Sequence, residues 1–208
     1  MVLRKYEEIN SMQIDALREI GSIGTGNAAT ALSALLGCEV RIPLPEVQIL
    51  EFNAAVEKLG GFETVSAGII SSLSGEINGL MLALLQLDAV NLFLGRMMGK
   101  SISDYSEMGE LEGSAVIEVG NILISSFINA LSGLSGVRIS PSVPQISIDM
   151  QGAIITVPMA AYGSQSDYIM LIGGSFIVEG KQVPCRLLLA PDMRSLNYLL
   201  HRLGIDHE

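Results

Sequence analysis

Apolar residues recur every three or four positions from Met12 to Leu36, the spacing of one buried helix face. Ser11 precedes this run and is a suitable N-cap, whereas Gly37 follows it and is a natural helix stop. The pattern therefore predicts a long helix over residues 11–36. A short polar lead-in, residues 1–10, precedes it.

Beyond this helix the periodicity changes several times and then repeats. In the first half it predicts an extended, proline-interrupted segment leading into a strand (40–50), two strands joined by a hairpin (65–72 and 79–85), and a helix (87–98). After a polar connector it predicts a helix (114–134), a strand entry (143–150), two strands (168–178 and 183–189) and a final helix (195–203). Each half is thus a helix, about three strands and a helix.

The two halves are related in sequence as well as in pattern. Aligning residues 15–45 with 114–144, an offset of 99 residues, gives ten identities in 31 positions, where random composition gives about two. We therefore predict an α/β (α+β) fold with a pseudo-two-fold internal duplication, packed as one domain. The predicted bounds are 1–208 for the domain, about 11–99 for the first repeat, about 100–112 for the connector and about 113–204 for the second repeat.

Composition narrows the class of protein. Hydrophobic residues make up 49% of the chain and the mean hydropathy is +0.47, yet the best apolar run, residues 79–85, is far shorter than the roughly 20 residues of a membrane span. The net charge of −10 and pI of about 4.6 disfavour nucleic acids and anionic membranes as partners. Cys38 and Cys185 show no paired spacing, as expected in a reducing compartment. These features predict a cytoplasmic protein whose partner is another protein.

Three common chemistries find no support in the sequence. Gly21, Gly24 and Gly26 form G-x-x-G-x-G inside a predicted helix rather than G-x-G-x-x-G after a strand, which disfavours a phosphate cradle. Because each of these glycines costs about 1 kcal/mol relative to Ala in a helix, we expect another backbone or surface to approach the helix closely at these positions. His201 and His207 lack metal-ligand spacing, so no metal is predicted. No G-x-S-x-G nucleophile elbow occurs.

One polar stripe interrupts the apolar second long helix. Ser114, Glu118 and Asn121 are spaced i, i+4 and i+7, which places them within an arc of roughly 60° on one helix face. Pro144 follows 23 residues after Asn121. A lone helical Glu and Asn most often form a solvated face, so the stripe alone does not establish a site.

The first half contains the same arrangement with one change. Asp15, Glu19 and Pro45 stand 99 residues before their counterparts, but Ser22 occupies the position of Asn121. A serine hydroxyl is shorter than a carboxamide and cannot reproduce its separated donor and acceptor. The repetition favours a functional motif, and the exchange predicts that the first copy is weak or inactive.

These motifs carry a family resemblance. The segments EIGSIGTGNAAT from Glu19 and EVGNI from Glu118, with the spacing to Pro144, resemble the CheC, CheX and FliY family of chemotaxis phosphatases. The similarity to CheC extends along essentially the whole chain. It implies that the substrate is the response regulator CheY, phosphorylated on aspartate.

The resemblance also implies a division of roles. Asn121 would orient the attacking water in line with phosphorus, and Glu118 would pair with the active-site lysine of the regulator. The required Mg²⁺ would be held by the regulator, so no cofactor is expected on this chain. Glu19 would still allow the first copy, with Ser22, to dock a regulator.

A second partner is implied as well. CheC proteins bind CheD, a receptor-modifying deamidase, through the region after the second proline, which here corresponds to Asp149 and Met150 and extends to Gln151. A non-catalytic adaptor that binds CheD or phosphorylated CheY is therefore the alternative to a phosphatase. Because the two halves can supply each other's symmetry, we expect a monomer.

Overall fold

The computed structural model describes residues 3–162 and 168–205, apart from the side chains of residues 159, 161 and 162. Within these residues the chain forms six α-helices and one eight-stranded sheet. The helices are α1 (Ser11–Leu36), α2 (Phe52–Leu59), α3 (Leu87–Met98), α4 (Glu110–Ser135), α5 (Gln151–Tyr162) and α6 (Met193–Arg202). The strands are β1 (Val40–Arg41), β2 (Glu46–Glu51), β3 (Val65–Gly75), β4 (Gly79–Leu85), β5 (Ile139–Pro141), β6 (Gln145–Met150), β7 (Tyr168–Val178) and β8 (Lys181–Pro191). The order α, β, β, α, β, β, α occurs twice, which confirms the predicted mixed α/β fold and its duplication.

The two halves exchange strands across the sheet. The strand order is β1-β7-β8-β4-β3-β5, with β2 also paired to β7 and β6 also paired to β3, all antiparallel. Val47 in β2 lies opposite Ile172 in β7. Its counterpart Ile146 in β6 lies opposite Ile69 in β3. Each half therefore completes the sheet of the other, around the central β4–β8 pair.

The sheet is covered on both faces. Alternate residues of β4 point in opposite directions: Met81, Ala83 and Leu85 join the larger core with α1, α3, α4 and α6. Leu82 and Leu84 join the smaller core with α2 and α5. The long helices α1 and α4 thus pack on one face of the sheet, and α2 and α5 pack on the other.

Both helices on the smaller core were missed by the sequence prediction. Helix α2 has only eight residues, and α5 is rich in β-branched residues and contains Pro158, all of which disfavour a helical prediction. Ile154 and Ile155 are nevertheless 2% and 0% exposed, packed against the sheet. Tertiary burial decides the conformation here.

Local hydrogen bonds set the starts of the long helices. The Asn10 side chain accepts from the backbone N–H of Gln13, and the Gln13 side chain accepts from the N–H of Asn10, each at 3.0 Å. Asn10, not Ser11, is therefore the N-cap of α1. Helix α4 begins four residues before its predicted start, where the Glu112 carboxylate accepts from the N–H of Gly109 at 3.1 Å.

The segments that precede α1 and α4 are buried and hydrogen-bonded in equivalent ways. Leu3 and Ile102, 99 residues apart, are both buried. Asn197 exchanges two hydrogen bonds with the backbone of Leu3, at 2.7 and 2.8 Å. Asn91 does the same with Ile102, at 2.7 and 2.9 Å. The structural equivalence of the halves thus extends upstream of both helices.

Two glycines of α1 allow close packing. A Cβ on Gly24 would lie 2.9 Å from the Cα of Phe127 in α4, and one on Gly21 would lie 3.0 Å from Cγ of Pro45. The expected close approach is confirmed at these two positions. It is wrong for Gly26, which is exposed and has nothing within 4 Å of its Cβ position.

Helix α4 is the main core helix. Among the described residues it is the one helix long and apolar enough to span a membrane by length and composition alone, with a mean hydropathy of 1.5. More than half of that stretch, 56%, is buried inside the fold, where α4 contacts α1, β3 and β4. Its apolar character is therefore accounted for by packing within the domain.

Candidate functional site

Helix α4 presents the predicted polar stripe on its outer side. Ser114 and Glu118 are exposed and Asn121 is half-buried, whereas Val119 and Gly120 face the core and are buried. The helical period separates these two sides as the spacing predicted. The structure thus brings a carboxylate and a carboxamide together on one accessible face.

The Asn121 amide has a partner that the sequence analysis missed. The Ser125 hydroxyl donates to Oδ1 of Asn121 at 3.2 Å, and both side chains are half-buried. The four-residue spacing, which places two side chains side by side on a helix, is the signal that was available in the sequence. The amide is therefore held from the C-terminal side of the helix.

Gly120 and Pro144 locate this face relative to the sheet. A Cβ on Gly120 would lie 2.6 Å from Cβ, Cγ1 and Cγ2 of Ile69 in β3, so only glycine lets α4 lie this close. Ile69 pairs in turn with Ile146 of β6, the strand that begins directly after Pro144. Ile69 of β3 thus lies against both the helix that carries Asn121 and the strand that follows Pro144.

The equivalent face of α1 has the same backbone arrangement as that of α4 but different side chains. Glu19 is exposed and Ser22 half-buried, at the positions of the α4 carboxylate and amide. The Asp15 carboxylate forms an ion pair with Arg18, and Pro45 is buried against the helix. This face retains a carboxylate but offers a hydroxyl where α4 offers an amide.

The start of α4 carries a perturbed carboxylate outside the stripe. The Lys100 ammonium donates to Glu112 at 2.6 Å, and this hydrogen bond lowers the pKa of Glu112 below its ordinary value. In residues 3–162 and 168–205, no group of three or more His, Cys, Asp or Glu side chains could hold a metal ion. The candidate functional groups on this face are Glu118 and Asn121.

The residues predicted to contact a second partner lie on β6. Among the described strands β6 pairs with β3 alone, so its other edge is open. Asp149 is exposed, and Ile148 and Met150 are 40% and 50% exposed, with Val65 opposite Met150 44% exposed. Gln151 is buried at 1% exposure and is not accessible to a partner. An acidic residue therefore stands beside an exposed apolar strip on this edge.

Fold and site together define a mixed α/β domain of two strand-exchanged halves, each with a glutamate-bearing face on its long helix. Residues 12–48 and 111–148 match the model of the CheC-like family. The two matches begin within a few residues of the starts of α1 and α4 and include both glutamates and both prolines. The resemblance to the CheC family is thereby confirmed in each half.

Known proteins share this resemblance. The chain is similar to the CheY-P phosphatase CheC of Bacillus subtilis (strain 168), at 29% identity over 203 residues, which cover 96% of this chain and 97% of that protein. Its fold resembles that of Thermotoga maritima FliY, with a TM-score of 0.75 and 22% identity over 96% of this chain and 100% of that one. The FliM middle domain of H. pylori has a TM-score of 0.70 and 12% identity over 93% and 99% of the two chains. These two structures establish the shared fold.

Proposed function

We propose that this chain hydrolyses the phospho-aspartate of a phosphorylated CheY-type response regulator in the cytoplasm. The proposal is supported by the presence on one face of α4 of two side chains, the exposed Glu118 carboxylate and the Asn121 amide, which is hydrogen-bonded to Ser125. The similarity over 96% of the chain to a CheY-P phosphatase agrees with it. A net charge of −10 also favours a protein partner over a free anionic substrate.

The proposed mechanism depends on positioning. Asn121 would enter the regulator's active site and orient water in line with phosphorus, while Glu118 would pair with the regulator's lysine. Phosphoryl transfer needs little covalent help from the protein, and charge on phosphorus would be stabilised by Mg²⁺ held by the regulator. Orientation worth about 10²-fold to 10⁴-fold lowers the barrier by roughly 3–5 kcal/mol.

The first half would act differently. Ser22 cannot present a donor and an acceptor at separate atoms as an amide does. Glu19 remains exposed and could still pair with a lysine. We propose that this copy binds a regulator weakly and contributes little to hydrolysis.

The test is the lifetime of a phosphorylated CheY-type regulator with substoichiometric amounts of this chain. The wild type should accelerate loss of phosphate, and Asn121→Ala should reduce the acceleration by about 10²-fold or more. The matched variant Ser22→Ala, at the equivalent position of α1, should leave it nearly unchanged. Activity that survives in Asn121→Ala and disappears in Ser22→Ala would refute the assignment.

A non-catalytic adaptor is the second candidate, favoured by the open edge of β6. Asp149 lies there between Ile148 and Met150, so a protein partner such as CheD could gain both a charge contact and apolar burial. An adaptor must match its target mole for mole, whereas an enzyme acts at much lower amounts. Saturation only at equimolar chain would therefore support the adaptor.

CheD binding is tested separately from catalysis. Asp149→Lys reverses the charge on an exposed strand residue and should weaken CheD binding without altering phosphatase turnover. Glu39→Lys, on an exposed residue away from β6, is the matched charge-reversal control. Equal CheD affinity of wild type and Asp149→Lys would exclude this contact.

A further inference from the structure

The Ser125 hydroxyl departs from the pattern of five other helical hydroxyls. A helical Ser or Thr commonly donates to the backbone carbonyl four residues back. Five residues do so here, at 2.6–3.0 Å: Thr30, Ser33, Ser114, Ser135 and Thr156. Ser125 instead donates to the side chain four residues back, Oδ1 of Asn121. We infer that Ser125 is a positioning residue for the Asn121 amide, an inference that rests on the proposed phosphatase function.

The hydrogen bond with Ser125 restrains the rotation of the Asn121 side-chain amide. The terminal torsion of an asparagine is broad, so an unsupported amide can exchange the places of Oδ1 and Nδ2 by rotating. With Oδ1 held by Ser125, the N–H donors point away from Ser125. One lone pair of Oδ1 accepts from the hydroxyl and the second stays available.

This orientation matters for an attacking water. An attacking water directs one lone pair at phosphorus, and an amide oxygen that accepts a hydrogen bond from the water makes that lone pair more nucleophilic. An Oδ1 anchored by Ser125 can do this with its second lone pair. A rotated amide would present N–H groups at the same place, which withdraw electron density from the water and offer no acceptor for its protons.

The first half lacks this support. The residue 99 positions before Ser125 is Gly26, which is exposed and has nothing within 4 Å of its Cβ position. Ser22 therefore has no hydroxyl four residues after it, and the Thr25 hydroxyl donates to the backbone carbonyl of Ser22 at 3.1 Å rather than to its side chain. The two halves differ at both members of the pair.

The test compares steady-state kinetics of Ser125 variants on a phosphorylated CheY-type regulator. Ser125→Ala should lower kcat about fivefold, the rate equivalent of one neutral hydrogen bond, and leave KM unchanged. Ser125→Thr retains the hydroxyl and should restore most of kcat. Thr30→Ala, which removes an ordinary helical hydroxyl from α1, is the control and should leave both constants unchanged.

A double-mutant cycle separates positioning from a general effect on the fold. In the Asn121→Ala background, Ser125→Ala should cause no further loss of kcat, since no amide is left to orient. An additional fivefold loss there would overturn the positioning role. If the wild type is active, Asn121→Ala is inactive and Ser125→Ala equals wild type, the inference about Ser125 fails while the proposed function stands. If the wild type shows no acceleration at any ratio, the proposed function itself fails.

Discussion

The crossing of α1 and α4 makes a prediction about two glycines only two residues apart. Gly24→Ala places a Cβ 2.9 Å from the backbone Cα of Phe127, whereas Gly26→Ala places one in open space. Both substitutions gain about 1 kcal/mol of helix propensity. Overpacking in a core costs about 1–3 kcal/mol, and a backbone atom cannot move aside by changing rotamer. We therefore expect Gly26→Ala to stabilise the protein by about 1 kcal/mol and Gly24→Ala to destabilise it by up to about 2 kcal/mol.

Urea unfolding followed by far-UV circular dichroism measures this difference. Because the two substitutions share one helix and one propensity gain, the difference in unfolding free energy isolates the steric cost at about 1–3 kcal/mol. For a domain of this size it corresponds to several degrees in Tm. If Gly24→Ala and Gly26→Ala stabilise equally at the same m-value, the close crossing at Phe127 is refuted.

Three further outcomes follow from individual contacts. Burial raises the pKa of the Cys185 thiol from 9.0 to about 12. The buried neutral thiol therefore contributes its full stabilisation below pH 9, and this contribution to the unfolding free energy falls by about 1.4 kcal/mol per pH unit between pH 9 and 12. Cys185→Ala should lack this share of the alkaline loss in urea unfolding, and an unchanged slope would contradict it. Glu112→Gln keeps an acceptor at the helix start but loses the ion pair with Lys100. Since the pKa of Glu112 is lowered from 4.5, wild type should lose its stability advantage over this variant as pH falls below 4.5, and a constant difference from pH 7 to 3 would refute the assignment. Gly120→Ala forces a Cβ against Ile69. Overpacking of about 1–3 kcal/mol, offset by about 1 kcal/mol of helix propensity, should lower the unfolding free energy by up to about 2 kcal/mol, and a Tm above that of the wild type would rule this out.

The sequence was informative where local signals agree. Helix α1 ends as predicted and its cap lies one residue before the predicted one, because its apolar spacing is regular and Gly37 adopts φ 64°, a left-handed stop that glycine favours. Strand β4 also has its predicted bounds, since a short apolar run between turn residues leaves little choice. Helix α5 was missed because its residues favour a strand locally, and only packing of Ile154 and Ile155 on the sheet makes it helical.

One part of the candidate site could also be predicted from the sequence, and another part could not. The face of Glu118 and Asn121 follows from helical spacing, so it could be predicted without coordinates. The Ser125 contact could not, because spacing shows which side chains are neighbours but not which rotamer each adopts. The strand exchange was equally hidden, since the pairing partner of β6 lies about 80 residues away in sequence.

The strand exchange makes the position of the second-half helix α4 depend on the first half of the chain. Strand β3 of the first half pairs with β6 of the second and supplies Ile69, against which Gly120 packs. A serine in place of an amide at position 22 leaves these contacts intact, whereas loss of β3 or of the packing of Gly120 on Ile69 would displace the helix that carries Asn121. The position of Asn121 therefore depends on contacts with the first half, including the helix crossing at Gly24. On this reasoning, substitutions that unfold either half must abolish both motifs in one cooperative transition, and two separate unfolding transitions by circular dichroism and by site activity would refute it.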